Sequence, residues 1–489
     1  MDTRIRLIFS IFFVFLFGAC SSAPVIEKEQ APVETSAIPQ SYREIKYPEF
    51  VYVAPFPADY RVKISDSITG YIIEDRTLPL VHFSVYFRES RLADSLKNEA
   101  AYELLSPMFR RGGSVKLGPQ ALDDSLEFIG ASVSGSLGTF RSFIGVECLS
   151  KNFPQMLSLV KDVFLLPAFD EKELEIQKAA AINAYEHRYD TPSAVLSSLY
   201  QYVNYEPNPR LWDATGEEFK NVTRDDLLKI SKNHFLSHRI VFAIAGDFDK
   251  DSMTAVLRSY FASWNAADSV NSAVPQPLKL KKRPGIYLVD RDISQANISM
   301  CAPFVKRPDP DYYPTALASF VLGGGSFSSR LMTRVRSDNG LAYSIHSSVD
   351  NNYHDQGLVT ISLQTKVESA SLALGLIKEE INKLAKEGPT DEELALAKKA
   401  LIESLPSLFD SPANTTLIFA DGELLGKKDT HYIDYVNEIN AVTKDQIKAM
   451  ISKYFDPQKM TVSIVGPASK LSSIGKFTLV PLDSLDFRK

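Results

Sequence analysis

Arg336 and Tyr343 are the two residues of this chain whose types and spacing best suit chemistry on a peptide. They stand seven residues apart, after the glycine run Gly323-Gly324-Gly325. A guanidinium presents a planar fork of hydrogen-bond donors, and a phenol presents one adaptable hydroxyl. Together they could hold the backbone carbonyls of an extended peptide. The same residues also suit a plain surface arginine and a half-buried tyrosine at the start of a strand.

An internal repeat with one fixed offset runs through the chain. The segment Val222-Thr223-Arg224-Asp225-Asp226-Leu227 recurs as Val442-Thr443-Lys444-Asp445-Gln446-Ile447, an offset of 442 − 222 = 220. The same offset relates five further matches: Glu173-Leu174 and Glu393-Leu394, Lys178 and Lys398, Asp190-Thr191-Pro192 and Asp410-Ser411-Pro412, Phe235 and Phe455, and Gly246 and Gly466. This period is too long for a solenoid repeat. It predicts two homologous modules of about two hundred residues each.

The order of strand and helix patterns predicts an α+β fold, in which each module is a mostly antiparallel sheet covered by helices. We expect an N-terminal module over residues 48–265 and a C-terminal module over 285–489, joined by a linker over 266–284 that is rich in proline and lysine. A chain of 489 residues is expected to form more than one core. Its formal net charge of −6 argues against nucleic-acid binding, which needs a basic surface.

The stretch from Gly323 to Ser344 resembles the arginine/tyrosine signature of the insulinase and pitrilysin zinc metallopeptidases, a family that includes mitochondrial processing peptidase. The resemblance covers nearly everything after the first 45 or so residues. It implies that Arg336 and Tyr343 position a substrate backbone against a zinc ion carried by another domain. It also implies that both modules are metallopeptidase-like. The glycines at 323–325, free to adopt positive backbone angles, are expected to guide the substrate, or else simply to end a helix.

The zinc motif of the family is degenerate in this chain. Active members carry H-x-x-E-H on an early helix, where two histidines bind the metal and the glutamate activates water. By resemblance, the motif maps onto Glu103-Leu104-Leu105-Ser106-Pro107, so both histidines and the catalytic glutamate are absent. Pro107 is also expected to disturb the helix. The third ligand maps onto Ala184 and a further acidic position onto Gln177, with Glu175 and Glu186 as displaced candidates. We therefore expect this chain to supply no catalytic residue and to bind no metal.

The N-terminus predicts export and lipid anchoring. Residues 1–19 have the character of a lipoprotein signal peptide, because two arginines precede an apolar run too short to span a bilayer. Small residues before Cys20 resemble a bacterial lipoprotein cleavage site, which implies lipidation of Cys20; an ordinary signal peptide or a buried thiol are the alternatives. Residues 20–47 suit a flexible tether. We expect the periplasmic side of a bacterial envelope, with Ser21 suggesting the outer membrane by the same resemblance.

Other candidate groups are weaker. His234 and His238 stand four residues apart, but no glutamate lies between them, and a role in the fold is favoured. Cys148 and Cys301 could form a disulfide in an oxidising compartment, although two buried free thiols are favoured. No phosphate-binding loop or serine-hydrolase elbow is present in the sequence.

Two functional hypotheses follow, with a weaker third. In the first, the chain forms a heterodimer with a zinc-bearing homologue and contributes Arg336 and Tyr343 to the cleavage of unfolded peptides. In the second, it is a catalytically silent lipoprotein that binds peptides or acts as a scaffold in an envelope assembly. The third is a hydrolase with an unorthodox metal site. The intact arginine/tyrosine pair favours the first hypothesis.

Overall fold

The computed structural model describes residues 41, 44–45, 52–88, 99–235, 239–262, 264 and 275–486, with only the backbone of 233–235 and 326. The expected signal peptide, Cys20, most of the expected tether, His238 and the side chain of His234 lie outside the described residues. Both modules lie within one compact unit, Tyr52–Lys489. In the part of the chain that the structure describes, no helix has the length and apolarity to cross a bilayer.

The first module consists of six strands and eight α-helices among the described residues. The strands are β1 Arg61–Lys63, β2 Ile68–Glu74, β3 Leu80–Arg88, β4 Ser132–Ser136, β5 Arg141–Leu149 and β6 Ile240–Gly246. The helices are α1 Glu99–Arg111, α2 Pro119–Ile129, α3 Phe153–Leu165, α4 Glu171–Glu186, α5 Pro192–Asn204, α6 Gly216–Lys220, α7 Arg224–Phe235 and α8 Lys250–Phe261. The strands form one sheet in the order β1-β2-β6-β3-β5-β4.

The second module repeats this arrangement. Its strands are β7 Gly285–Asp290, β8 Gln295–Pro303, β9 Ala342–Val349, β10 Leu358–Lys366, β11 Thr461–Gly466 and β12 Thr478–Leu479. Its helices are α9 Tyr312–Ser319, α10 Ala370–Glu387, α11 Asp391–Glu403, α12 Pro412–Leu424, α13 His431–Ala441 and α14 Lys444–Tyr454. The sheet order is β12-β7-β11-β8-β10-β9. The predicted α+β fold with two mostly antiparallel sheets is confirmed.

The inner strands β6 and β11 explain why each sheet needs a cover on both faces. Every residue of β6 and of β11 is buried. Strands that are buried on both faces are continuous apolar runs rather than alternating ones, as the sequence Ile-Val-Phe-Ala-Ile-Ala-Gly of β6 illustrates. One face of each sheet therefore packs on the helices of its own module, and the other face requires a second layer.

The second layer comes from helix exchange between the modules. Helix α12 of the second module packs Phe419, Ala420 and Leu424 against Tyr71 and Val241 of the first sheet. Helix α5 of the first module places Val195, Leu199 and Val203 against Val289 and Val465 of the second sheet. Each module thus buries one helix of the other, and the two modules form a single folded body.

The repeat in the sequence coincides with the helices that form these contacts. Helices α5 and α12 begin at Pro192 and Pro412, again 412 − 192 = 220 residues apart. Thr191 Oγ1 accepts from the backbone N–H of residue 194, and Ser411 Oγ accepts from that of residue 414, at 3.3 and 3.2 Å. An N-cap hydroxyl followed by proline at the first helical position fixes a helix start. The repeated Asp-Thr/Ser-Pro triplet therefore marks the two exchanged helices.

The repeated lysine also has a structural role. Lys178 Nζ donates to the backbone carbonyl of Lys220 at 3.3 Å, and Lys398 Nζ donates to that of Asn440 at 2.7 Å. Both donor positions and both acceptor positions are 220 residues apart. The first bond ties α4 to the end of α6, and the second ties α11 to the end of α13. The repeat thus preserves a tertiary hydrogen bond as well as a pattern.

Ion pairs flank the exchanged helices. Arg61 Nη1 donates to Asp429 at 2.9 Å, and Tyr71 Oη donates to Glu423 at 3.0 Å. Arg210 and Asp355 form a two-pronged pair at 2.9 and 2.6 Å, and both side chains are buried. All three interactions join one module to the other. Because breaking a buried ion pair is costly, the Arg210–Asp355 pair contributes most to fixing the relative position of the modules.

A second group at this interface consists mainly of cations. Burial and the neighbouring Arg307 and Arg141 lower the pKa of Lys427 to about 8. Burial and the nearby Lys427 and Arg307 lower the pKa of His431 to about 4. The Tyr353 ring lies 5.3 Å from Lys427 Nζ and 5.1 Å from Arg307 Cζ, so its π face adds to the distant counter-charge of Asp421, 4.0 Å from Lys427 Nζ.

We expect His431 to remain neutral until the pH falls to about 4, and the Lys427→Met variant to raise the pKa of His431. Because the unfolded histidine protonates near pH 6.5, at about its ordinary pKa, the fold loses stability as the pH falls from about 6.5 to about 4. An NMR titration of the His431 ring measures the pKa. Lys428→Met, at the exposed neighbouring lysine, is the matched control and should shift the pKa less. A pKa near 6.5 in the unmodified chain would contradict the expected burial.

The two described cysteines do not form a disulfide. Cys148 and Cys301 are both buried free thiols, one in each sheet. The favoured prediction of two free thiols is therefore confirmed, and the alternative of a disulfide between them is wrong. Burial raises the pKa of both thiols, to about 11 for Cys148 and about 12 for Cys301. Such thiols are inert because the thiolate is the reactive form.

Candidate functional site

The segment that carries Arg336 is anchored from behind by another arginine. Arg330 Nε and Nη2 donate to the two oxygens of Glu393 in α11, each at 2.7 Å, and hydrogen bonding to Glu393 raises the pKa of Arg330. Glu393 is itself fixed by a capping box with Thr390. This two-pronged pair holds the start of the π-helical segment Met332–Ser337 against the body of the module. The segment that carries Arg336 is therefore fixed in position relative to the second module.

The structure brings Arg336 and Tyr343 together at the surface. The guanidinium carbon of Arg336 lies 5.7 Å from the centroid of the Tyr343 ring and 5.0 Å from that of Phe327. Tyr343 is 80% exposed and Phe327 is 69% exposed. Arg336 Nη1 donates to Met332 Sδ at 3.7 Å, which is a weak hydrogen bond. The guanidinium and the phenol thus face solvent beside an apolar ring.

Tyr343 is also the second residue of an edge strand. β9 is the last strand in the order β12-β7-β11-β8-β10-β9 and pairs with β10 on one side. We name the surface formed by Phe327, Arg336 and Tyr343 the clamp. The clamp offers planar donors, a hydroxyl and an aromatic face, all of which suit an extended polypeptide. Sequence reasoning missed Phe327, although it stands within the stretch that carries the signature.

The glycine run does not use the positive backbone angles that glycine allows. None of Gly323, Gly324 and Gly325 is among the described residues with positive φ. The run closes the π-helical turn Phe320–Gly324, and a Cβ on Gly323 would lie 2.8 Å from the Cβ of Ser347. Gly323 is therefore needed for close packing against β9, and Gly325 for close packing against the Phe320 ring. The alternative, a helix-terminating segment, describes them better, and their guiding of a substrate stays a prediction.

Helix α1 is continuous through Pro107. The expectation that this proline disturbs the helix is wrong, because α1 extends to Arg111 with Pro107 inside it. The missing hydrogen bond is offset by burial: Tyr102, Leu105 and Phe109 are all core residues. Tertiary packing of an apolar face often outweighs local helix propensity. The helix that carries the zinc motif in the family is thus preserved here.

The residues at the degenerate zinc motif do not fit a zinc ion. Pro107 and Ala184 have no donor atom, and Ser106 Oγ already accepts from the backbone N–H of Leu137 at 3.1 Å. Zinc in peptidases takes imidazole nitrogen and carboxylate oxygen as its protein ligands. Of the five motif positions, Glu103 alone carries a carboxylate. The donor set of α1 therefore lacks what zinc requires.

The displaced candidates do not repair the site. Glu175 is occupied by an ion pair with Lys178 at 2.7 Å, and Gln177 donates to Glu173 at 2.7 Å. Glu186 is exposed at the end of α4. Among the described residues, no group of three or more histidine, cysteine, aspartate or glutamate side chains could hold a metal ion.

Comparisons with known proteins relate the chain to a family of peptidases. The family model described as "Peptidase M16 inactive domain" matches residues 221–401. The chain is 24% identical over 371 residues to the "uncharacterized zinc protease YmxG" of Bacillus subtilis, covering 76% of this chain and 88% of the relative. It is 25% identical over 406 residues to the "non-peptidase homolog YmxG" of Helicobacter pylori, covering 81% of this chain and 91% of that protein.

A solved structure confirms the architecture. The peptidase M16 inactive domain from Pseudomonas fluorescens superposes with a TM-score of 0.69 at 22% identity, covering 82% of this chain and 95% of that one. Together the repeat, the two sheets and these matches define a two-module metallopeptidase-like protein. The chain is thus similar to the M16 family of peptidases, the insulinase and pitrilysin family, and its residues 221–401 match the inactive domain of that family.

Proposed function

We propose that this chain is the non-catalytic subunit of a zinc metallopeptidase, and that its clamp positions substrate peptides for a homologous partner that carries the zinc. The proposal rests on one observation. Arg336 and Tyr343 are held at the surface beside each other, while the helix α1 of the same chain lacks zinc ligands. A clamp needs no metal of its own if another chain supplies it.

The chemistry of each side chain suits this role. Arg336 donates from a planar fork to carbonyl oxygens of an extended peptide, and Tyr343 donates from its hydroxyl. Hydrogen bonds to a charged group contribute about 1.5–3 kcal/mol each. The exposed ring of Phe327 adds apolar contact for a neighbouring side chain. The zinc of the partner would activate the attacking water, while this chain holds and orients the peptide.

We further propose that the protein works on the periplasmic side of a bacterial envelope and is anchored through Cys20. The support is the short apolar run that ends in Cys20, followed by a proline- and glutamate-rich stretch. Stable anchoring takes two signals, such as two acyl chains. Mass spectrometry of the membrane-extracted chain, with Cys20→Ala as the comparison, tests the anchor.

Reconstitution tests the functional proposal. We expect that the chain and an H-x-x-E-H homologue from the same genome co-elute in size-exclusion chromatography, and that only their mixture hydrolyses a fluorogenic peptide at full rate. The homologue alone and this chain alone are the controls. If the homologue alone is as active as the mixture, the chain does not position the substrate, and the alternative of a silent scaffold lipoprotein is favoured.

A further inference from the structure

A cleft on the first sheet lies apart from the clamp and from the degenerate zinc motif. It has a volume of about 620 Å³ and is enclosed by β3, β4, β5 and β6 on one side and by the start of α12 on the other. A volume of this size is typical of small-molecule sites, which measure about 300–1,000 Å³. Because α12 belongs to the other module, an occupant of the cleft would contact both modules.

The floor of the cleft contains a titratable pair. His82 Nδ1 lies 3.6 Å from Glu147 Oε2, and the two side chains are 40% and 56% exposed, so a ligand can reach both of them. They are direct neighbours across β3 and β5. The hydroxyls of Ser84, Ser132 and Ser134 line the same cleft.

The internal repeat shows that the fold does not require this pair. His82 stands opposite Glu147 on one side and Ala245 on the other. In the second sheet the corresponding residue is Asn297, which stands opposite Gln364 and Val465. The second module therefore places two neutral amides where the first places two ionisable groups.

The exchanged helix α5 contacts the second sheet four residues along the strands from Asn297 and Gln364. Tyr200 of α5 lies 3.4 Å from Thr360 Oγ1, and Asn204 donates to Cys301 Sγ at 3.1 Å. In the first module the residues of α12 that face the cleft include Ala413, Thr416 and Leu417, which leave it open. The cleft of the first module thus coincides with its pair of ionisable side chains.

The charge of the lining indicates the class of ligand. Two carboxylates, Asp75 and Glu147, line the cleft, and hydrogen bonds from Thr77 hold the pKa of Asp75 below its usual value. None of the described residues that line the cleft is a lysine or an arginine. The start of α12 adds roughly half a positive charge, which two full negative charges outweigh. The nearby N–H of residue 414 is already capped by Ser411.

The remaining lining is apolar. Leu80, Tyr86, Phe143, Val146 and Leu417 form walls around the carboxylates and hydroxyls. Ligand sites commonly combine apolar walls with a few polar groups that fix orientation. We propose that the cleft binds a small organic amine with an apolar body, whose ammonium group pairs with Glu147. This site is additional to the clamp and does not depend on the zinc-bearing partner.

Three indole compounds that differ only in the end group test the proposal on the isolated full-length chain. We expect isothermal titration calorimetry to show that tryptamine binds more tightly than the neutral tryptophol, and that the anionic indole-3-propionate binds weakest. Glu147→Gln should weaken the binding of tryptamine by about tenfold, since one charge-assisted hydrogen bond is lost. The affinity for tryptophol should change little. Glu438→Gln, at an exposed glutamate of α13, is the matched control and should change neither.

A second variant separates binding at this cleft from binding elsewhere. Ala413→Trp fills the cleft from the α12 side and should abolish tryptamine binding while thermal unfolding remains cooperative. Equal affinity for the amine and the acid, or full binding by Ala413→Trp, would overturn the proposal. Failure of all three compounds to bind would also overturn it. None of these binding results tests the proposed function of the clamp, because no hydrolysis is measured.

Discussion

Replacing Arg336 by alanine is expected to lower kcat/KM for peptide hydrolysis by the assembled pair by about ten- to a hundredfold. The loss corresponds to a charge-assisted hydrogen bond of about 1.5–3 kcal/mol. Assembly should be unchanged, because the recorded contacts of Arg336 are with Met332, Phe327 and Tyr343 of its own module. Steady-state kinetics of the reconstituted pair, together with size-exclusion chromatography, measures both quantities.

Arg334→Ala is the matched control for this prediction. Arg334 lies two residues away on the same segment, its side chain is 45% exposed, and its ion pairs with described residues are long, at 3.9 Å. Its removal should change the rate little. Arg336→Lys should recover only part of the activity, because an ammonium cannot reproduce the planar fork. If the pair assembled with the Arg336→Ala variant is as active as the unmodified pair, the clamp does not position the substrate.

The Asp355→Ala variant is expected to destabilise the whole chain by about 3–5 kcal/mol, the typical cost of removing one partner of a buried ion pair. Asp355 is 3% exposed and accepts from Arg210 and from the backbone N–H of Leu278. Its loss leaves the guanidinium of Arg210 buried without a counter-ion between the two modules. Urea unfolding followed by circular dichroism measures the change.

Two further variants test the reason for that cost. The double variant Arg210→Met, Asp355→Leu should regain most of the lost stability, because apolar residues of similar size can replace a buried pair. Asp66→Ala breaks an exposed pair with Lys63 and should leave the unfolding midpoint unchanged. If Asp355→Ala unfolds at the same urea concentration as the unmodified chain, this ion pair does not fix the modules.

Much of the fold could be predicted from the sequence, because its signals are local. The strand and helix patterns of each module lie within single segments, and the 220-residue offset relates segments by identity. The exchange of α5 and α12 could not be predicted in this way. An apolar helix face indicates that a helix is buried, but it does not indicate which sheet covers it.

The candidate site was predictable to a different extent. Arg336 and Tyr343 were identified through the resemblance, and the structure brings them within 5.7 Å. The role of Gly323 stayed open between substrate guiding and a helix end, because glycine serves both positive φ and close packing and the sequence does not separate the two. Pro107 misled for a related reason: its local penalty is known, but the burial of Leu105 and Phe109 that offsets it is a tertiary property.

The cleft beside His82 and Glu147 could not be predicted from any single segment of the sequence. The two residues are 147 − 82 = 65 positions apart and become neighbours only through the pairing of β3 with β5. The internal repeat, however, contains the information once the strands are aligned. Comparing the modules strand by strand identifies the charged pair of the first module against the amide pair of the second.

The central claim is that this chain holds peptides for another subunit's zinc and cannot cleave them alone. Zinc analysis of the purified full-length chain, combined with a peptide hydrolysis assay on the same sample, tests it most directly. We expect far less than one zinc per chain and no hydrolysis above the buffer rate. One tightly held zinc per chain, together with hydrolysis that a chelator abolishes, would contradict the claim.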